Sequence, residues 1–257
     1  MGKRKKYKRL FVKFREVRPQ GCIVGVLLGI FMLGALLYAT SPVWMGLFDP
    51  TPVIPVEKRN FSGIDVSKHQ GRIDWKTVAE DERVQFAYIK ATEGASLVDR
   101  RYATNIRQAR EAGIMVGSYH FFLARKSAQE QFDNFSRVVD ADQQDLLPMV
   151  DIEESGCIGY TRATIQQNLG EFMELVKERY GKYPLLYSQY RFYNDMLAPE
   201  FNRYYLFIAR YGPRPPAVRG GHHNIWQFAE DGHVRGINGT VDLDIFANGT
   251  RLGDIRL

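Results

Sequence analysis

Leu146-Leu-Pro-Met-Val-Asp-Ile-Glu-Glu154 starts as an unbroken apolar run and ends in acid. An apolar run this short reads as a strand buried on both faces, as in a parallel sheet. Residues i and i+2 of a strand share a face, so the spacing predicts Asp151 and Glu153 side by side, about 6–7 Å apart along the backbone. Two carboxyls on one face raise each other's cost of ionisation. Such a pair can hold one protonated and one ionised member near neutral pH, the division of labour that glycosidic bond cleavage requires. A strand end carrying solvated acids is the plain alternative, and the rest of the chain has to decide between them.

On either side, strand-like and helix-like patterns alternate. Upstream, 62–67, 86–92 and 114–122 read as strands, separated by helices over Trp75 to Asp81 (capped by Asp74) and along the Tyr102, Ile106 and Ala109 face, which Gly113 would end. Ser127-Ala-Gln-Glu130 is a capping box ahead of Phe132, Phe135, Val138 and Val139 at helical spacing. Downstream come a long helix through Ile165, Leu169, Phe172, Met173 and Val176, a strand over 184–188 and a short helix near 192–197. Then 204–209, 224–228 and 240–246 read as three more strands, and the Gly- and Pro-rich intervals between them predict no helix. Eight strands, of which the first five carry helices, suggest an α/β fold: a TIM-like barrel whose last third has lost its helices. An open doubly wound sheet is the competing fold, but no phosphate-cradling glycine motif follows the first strand.

Barrel chemistry gathers at the C-terminal strand ends. Those ends hold Asp65, Glu93, Tyr119 with His120 and Phe121, Asp151 with Glu153, Tyr187, Tyr211, Trp226 with Gln227, and Asp242 with Asp244. Acids and aromatics suit sugars, whose rings stack on aromatic faces and whose hydroxyls bond carboxylates and amides; a phosphate site would need cations or a glycine loop. His120 reads as a hydrogen-bonded wall residue. No His, Asp and Cys grouping has metal spacing, and nothing calls for a cofactor. No nucleophile elbow is present, and Cys157 has no evident partner histidine.

The net charge of +6 belongs to one end of the chain. Residues 1–18 hold nine Lys or Arg against Glu16, a balance of +8, which leaves −2 for the remainder. A nucleic-acid groove is therefore not expected. From Gly21 to Phe48 there is no charged residue, a length that can span a bilayer. The positive-inside rule then makes 1–20 a basic cytoplasmic tail and 21–48 a transmembrane anchor. Residues 49–60, with Pro50, Pro52 and Pro55, become an extended linker, and 61–257 a domain outside the membrane, on a periplasmic or extracellular face. Cleavage of a signal peptide near Ala39-Thr-Ser41 is the rival reading. With Cys22 in the apolar segment and Cys157 alone downstream, no disulfide can form within the domain.

Gly63-Ile-Asp-Val-Ser67, Tyr88-Ile-Lys-Ala-Thr-Glu-Gly94, Gly117-Ser-Tyr-His-Phe121, Val150-Asp-Ile-Glu153, Ile225-Trp-Gln227 and Val241-Asp-Leu243, in this order, resemble glycoside hydrolase family 25, the Chalaropsis-type muramidases. The resemblance covers about residues 61–250 and implies a (β/α)5β3 barrel that cuts the β-1,4 bond between N-acetylmuramic acid and N-acetylglucosamine. It implies Glu153 as general acid, Asp151 as partner carboxylate, and Asp65 and Asp242 as further catalytic acids of the groove. Glu93, Tyr119, Phe121, Tyr187, Tyr211, Trp226 and Gln227 are expected to contact substrate. Chitinase-like family 18 shares the close carboxylate pair, but its pattern needs acids where this chain has Met149 and Leu146. The expectation is a monomeric enzyme acting on peptidoglycan strands, held at the membrane by its N-terminal helix; a non-catalytic, membrane-anchored peptidoglycan-binding protein is the alternative.

Overall fold

The computed structural model describes residues 60–257 apart from Pro213 and Pro216. The basic tail, the apolar segment 21–48 and the linker as far as residue 59 lie outside the described residues. Among the described residues no helix is long and apolar enough to cross a membrane.

Among the described residues nine strands form one sheet: β1 (Gly63–Val66), β2 (Phe86–Glu93), β3 (Leu97–Val98), β4 (Met115–Phe121), β5 (Met149–Asp151), β6 (Leu185–Gln189), β7 (Leu206–Ala209), β8 (Ile225–Gly232) and β9 (Val241–Phe246). Pairing of β1 with both β2 and β9 closes eight of them into a barrel, and β3 is a hairpin appendage on β2. Neighbours from β1 round to β8 are parallel, whereas β9 runs antiparallel to both β8 and β1. Helices follow the strands only as far as β6. They are α1 (Trp75–Val78), α2 (Tyr102–Glu111), α3 (Ala128–Val138), α4 (Glu154–Cys157), α5 (Arg162–Tyr180) and α6 (Tyr190–Phe192), the last running into a π-helical turn at Tyr193–Leu197. This is the (β/α)5β3 arrangement.

Local signals in the sequence set the helix ends. Asp74 accepts from the Thr77 amide at the start of α1, and Ser127 and Glu130 complete the capping box of α3. Gly181 stops α5 in the left-handed conformation, with φ of 81° and its N–H on the Lys177 carbonyl. Strand alternation then builds two cores. Outward residues such as Ile64, Ile89, Val150, Leu186 and Ile208 pack with Ile106, Phe135, Phe172 and Met173 of the helices. Inward residues, led by Phe86, Tyr88, Phe207 and Ile225, fill the lumen.

The opening stretch differs from its expected form. Only Met149–Asp151 is laddered, because Pro148 has no N–H to donate. Leu146 and Leu147 instead join the C-terminal segment, Leu146 bridging to Arg256 and the Leu147 amide donating to the Ile255 carbonyl at 2.8 Å. With Ile255 they close the floor of the lumen.

Lumen rings lie directly on the strands. A Cβ on Gly63 would stand 2.3 Å from Cζ of Phe86, and one on Gly117 2.4 Å from Cε1 of Tyr88. Tyr88 cannot swing aside freely, since its hydroxyl donates to the Leu147 carbonyl at 3.1 Å. Gly117→Ala should therefore cost about 1–3 kcal/mol of stability by overpacking. Denaturant unfolding that shows no loss would refute this packing of the lumen.

Candidate active site

A cavity of about 210 Å³ opens at the C-terminal end of the parallel strands. Asp65, Tyr119, Met149, Asp151, Glu153, Tyr187, Tyr211, Gln227, Glu230 and Asp242 line it. Asp65 is the third residue of β1 and pairs with Asp242 of β9. Because β9 is antiparallel, Asp242 stands near the start of its strand rather than at its C-terminal end, which still brings it to the same rim. The ladder of β5 ends at Asp151, but Glu153 keeps extended backbone (φ −128°, ψ 164°) as the residue before α4. Met149, Asp151 and Glu153 thus all face the cavity, while Val150 and Ile152 pack outward.

Gln227 ties the acids to the aromatics. Its Nε2 donates to Asp65 Oδ2 at 2.6 Å, and its Oε1 accepts from the Tyr187 and Tyr211 hydroxyls at 2.9 and 3.1 Å. These three bonds define which end of the amide is which. Burial, above all, holds the Asp65 carboxyl well above the usual range, with Asp242 the next cause. Asp65 accordingly shares a hydrogen bond with Asp242 as proton donor, and Asp242 itself is pushed up to about 6, again mainly by burial.

Asp151 is 7% exposed and its Oδ1 has no hydrogen-bond partner among the described residues. Burial and then repulsion from Glu153 raise its pKa, against an opposing pull from Lys90. Glu153 is less enclosed, with Gln189 Nε2 3.4 Å from its Oε2. Its pKa is also raised by burial and lowered in part by Lys90. Lys90, absent from the residues singled out in the sequence, is the cation of this rim. It bonds Glu93 at 2.9 Å and lies 4.8 Å from the Phe121 ring centroid. Counting alternate residues from Phe86 and Tyr88 would have found it.

The structure separates the remaining candidates. Glu93 and Phe121 stand with Lys90 beside the cavity and do not line it. Trp226, between the inward Ile225 and Gln227, points to the outer face of β8, where its indole donates to the Arg210 carbonyl at 2.8 Å. His120 is indeed a wall residue. Its Nε2–H reaches Gln131 Oε1 at 3.3 Å, Thr92 Oγ1 lies 2.7 Å from Nδ1, and burial drives its pKa down to about 3. The second residue missed in the sequence is Glu230, beyond the expected end of β8.

Asp244 is not at the rim, as its place beside Asp242 had suggested. It lies deeper in the lumen, fully buried, with both carboxyl oxygens unpartnered among the described residues. Burial first, then Asp65 and Asp242, raises its pKa well above the ordinary value, so it stays protonated. A carboxyl with a raised folded-state pKa costs no stability below the unfolded value of about 3.9. Above it, the unfolded chain gains by ionising and the folded state loses ground as pH climbs. Asp244→Asn should therefore raise the Tm at pH 7, with the gain shrinking towards pH 3.5; an equal difference at both pH values would contradict a buried neutral acid.

Comparison with known proteins assigns this barrel. The model of the glycosyl hydrolases family 25 matches residues 64–237. Lysozyme M1 of Streptomyces globisporus is 32% identical over 214 residues, spanning 77% of this chain and 71% of that protein. The protein YegX of Escherichia coli O6:H1 is 41% identical over 192 residues, 73% of this chain and 70% of its own length. Among solved structures, the bacterial lysozyme of Streptomyces coelicolor superposes with a TM-score of 0.66 at 29% identity, covering 77% of this chain and 96% of that one. The chain belongs to glycosyl hydrolases family 25 and is a glycoside hydrolase of the lysozyme type.

Proposed function

We propose that this protein is an N-acetylmuramidase, cleaving the β-1,4 bond between N-acetylmuramic acid and N-acetylglucosamine in peptidoglycan. The observation that carries this reading is the pair Asp151 and Glu153, facing one cavity with both pKa values raised by burial. Glu153 is the general acid, protonating the leaving glycosidic oxygen. When Glu153 holds that proton its repulsion of Asp151 disappears, and this together with the pull of Lys90 offsets part of the rise that burial imposes on Asp151. Ionised Asp151 attacks the anomeric carbon or orients the substrate's 2-acetamido group to do so, from its place on the cavity wall beside Glu153. Asp65 and Asp242, with their shared proton, hold sugar hydroxyls on the opposite wall, and Tyr119, Tyr187 and Tyr211 supply aromatic faces.

The apolar run 21–48, preceded by nine cations, supports a single-pass anchor with the N-terminus in the cytoplasm. The enzyme would then work as a monomer on wall close to the membrane, reached through the linker at 49–60. Recovery of the protein from the soluble fraction, cut near Ser41, would remove the basis for tethering.

Glu153→Gln should abolish release of new reducing ends at muramic acid from purified sacculi, and Asp151→Asn should cost at least about 100-fold. Wild-type rates in either variant, by muropeptide analysis, would overturn the assignment. The rate should fall as pH rises past the raised Glu153 pKa, because the acid loses its proton. Lys90→Met removes the one influence that lowers both carboxyls together, so both limbs of the pH–rate profile should move to higher pH. An unmoved profile would show that Lys90 does not act on the pair.

A further inference from the structure

Glu230 enters the cavity through an irregularity of the sheet. Gln227 pairs with Asp244 and Ala229 with Leu243, so two steps along β8 meet one step along β9. That extra residue is a β-bulge, which reverses the alternation beyond it. Ala229 consequently joins Leu243 in the outer core, and Glu230, which strict alternation from Gln227 would turn outward, lines the cavity. There it acts on its neighbours, contributing to the raised pKa values of Asp242 and Tyr211.

With Glu230 the cavity is lined by five carboxyl groups, and no Lys or Arg is among its lining residues. Lys90, the nearby cation, is engaged by Glu93. Four of the carboxyls already have work or partners of their own: Glu153 is the proton donor, Asp151 is its partner carboxylate, and Asp65 and Asp242 bond each other. Glu230 is exposed and makes no hydrogen bond to them. Asp151 lines the same space while more than nine-tenths buried, and its Oδ1 is unpartnered among the described residues, a polar side chain that the protein alone does not satisfy. A carboxylate at such a rim repels anionic groups of a bound molecule and selects a cationic one.

Resting on the muramidase reading, we infer that Glu230 is a specificity-determining residue that favours glycan strands carrying a primary ammonium group near the scissile bond. Two sources in peptidoglycan offer this chemistry: a glucosamine that has lost its N-acetyl group, and the side-chain amine of a diamino acid in a stem peptide.

Three strand preparations, all with stem peptides in place, separate them: N-acetylated strands whose peptide amines are also acetylated, the same strands with part of their glucosamine de-N-acetylated, and N-acetylated strands with free peptide amines. For the full-length enzyme and Glu230→Gln, kcat and KM are measured on each by release of reducing ends. Wild type should prefer one amine-bearing preparation over the amine-free strands, and that preparation identifies the source. Glu230→Gln should shrink the preference by about two- to fivefold, in KM rather than kcat, and Glu230→Asp should restore part of it. Added salt should weaken the wild-type preference and leave that of Glu230→Gln little changed. A loss of equal size on all three preparations would make Glu230 a structural residue, and a wild type without preference would overturn the inference while leaving the muramidase intact. A wild type inert on all three would overturn the muramidase reading itself, and the inference with it.

Discussion

Exclusion of water from the end of a packed barrel governs the chemistry of this protein. Burial is the first cause of the raised pKa of Asp65, Asp151, Glu153, Asp242 and Asp244 alike. Charge repulsion comes second for Asp65, Asp151 and Asp244. The lumen is built upward from a floor of Leu146, Leu147 and Ile255, through the rings of Phe86, Tyr88 and Phe207, to a layer of acids. Each carboxyl above that filling loses water on one side and faces the cavity on the other. Had the lumen been loosely packed, water would reach the acids from below and their pKa values would fall back towards 4.

Two sheet irregularities refine this layer. At Ala91 the register of β2 against β4 shifts between Lys90 and Thr92. Lys90 and Glu93 can then both face the mouth, while Thr92 turns outward to His120. On β8 the bulge near Phe228 does the same for Glu230. In both cases one extra residue re-aims a charge that strict alternation would have sent into the apolar layer under the helices. These charges differ in what they do: Glu93 pairs with Lys90 and adds to the rise at Asp151, and Glu230 adds to the rise at Asp242.

Much of this was legible in the chain, for reasons that are local. Caps such as Asp74, Ser127 and Gly181 are read from single residues, and the strands from period-two or continuous apolar runs. Asp65, Asp151, Glu153 and Asp242 could be singled out because each ends or begins such a run. What escaped depended on pairing between distant segments. Nothing near Glu230 announces a bulge, since the bulge exists only in the register of β8 against β9. Trp226 shows the opposite error: an aromatic at a strand end looked like a sugar platform, but its neighbour Gln227 had the inward position. The depth of Asp244 depends on the direction of its strand, which only the closed sheet supplies.

Strand direction also explains why no helix joins β8 to β9. A helix between β8 and β9 would carry the chain back to the floor, and β9 would start there, parallel to its neighbours. Asp242, its second residue, would then lie at the bottom. Instead residues 233–240 stay near the rim. Val234 and Ile237 cover the outer face of the sheet in place of a helix, and the Gly236 carbonyl accepts from the Asp74 amide at 2.8 Å. Gly236 is suited to this approach: its φ is 94°, and a Cβ there would stand 2.5 Å from the Asp74 carbonyl oxygen. Strand β9 therefore begins at the rim and runs downward, which sets Asp242 against Asp65 and buries Asp244 beneath them. Loss of the helix and the meeting of the first and last strands' carboxyls are consequences of the same turn of the chain.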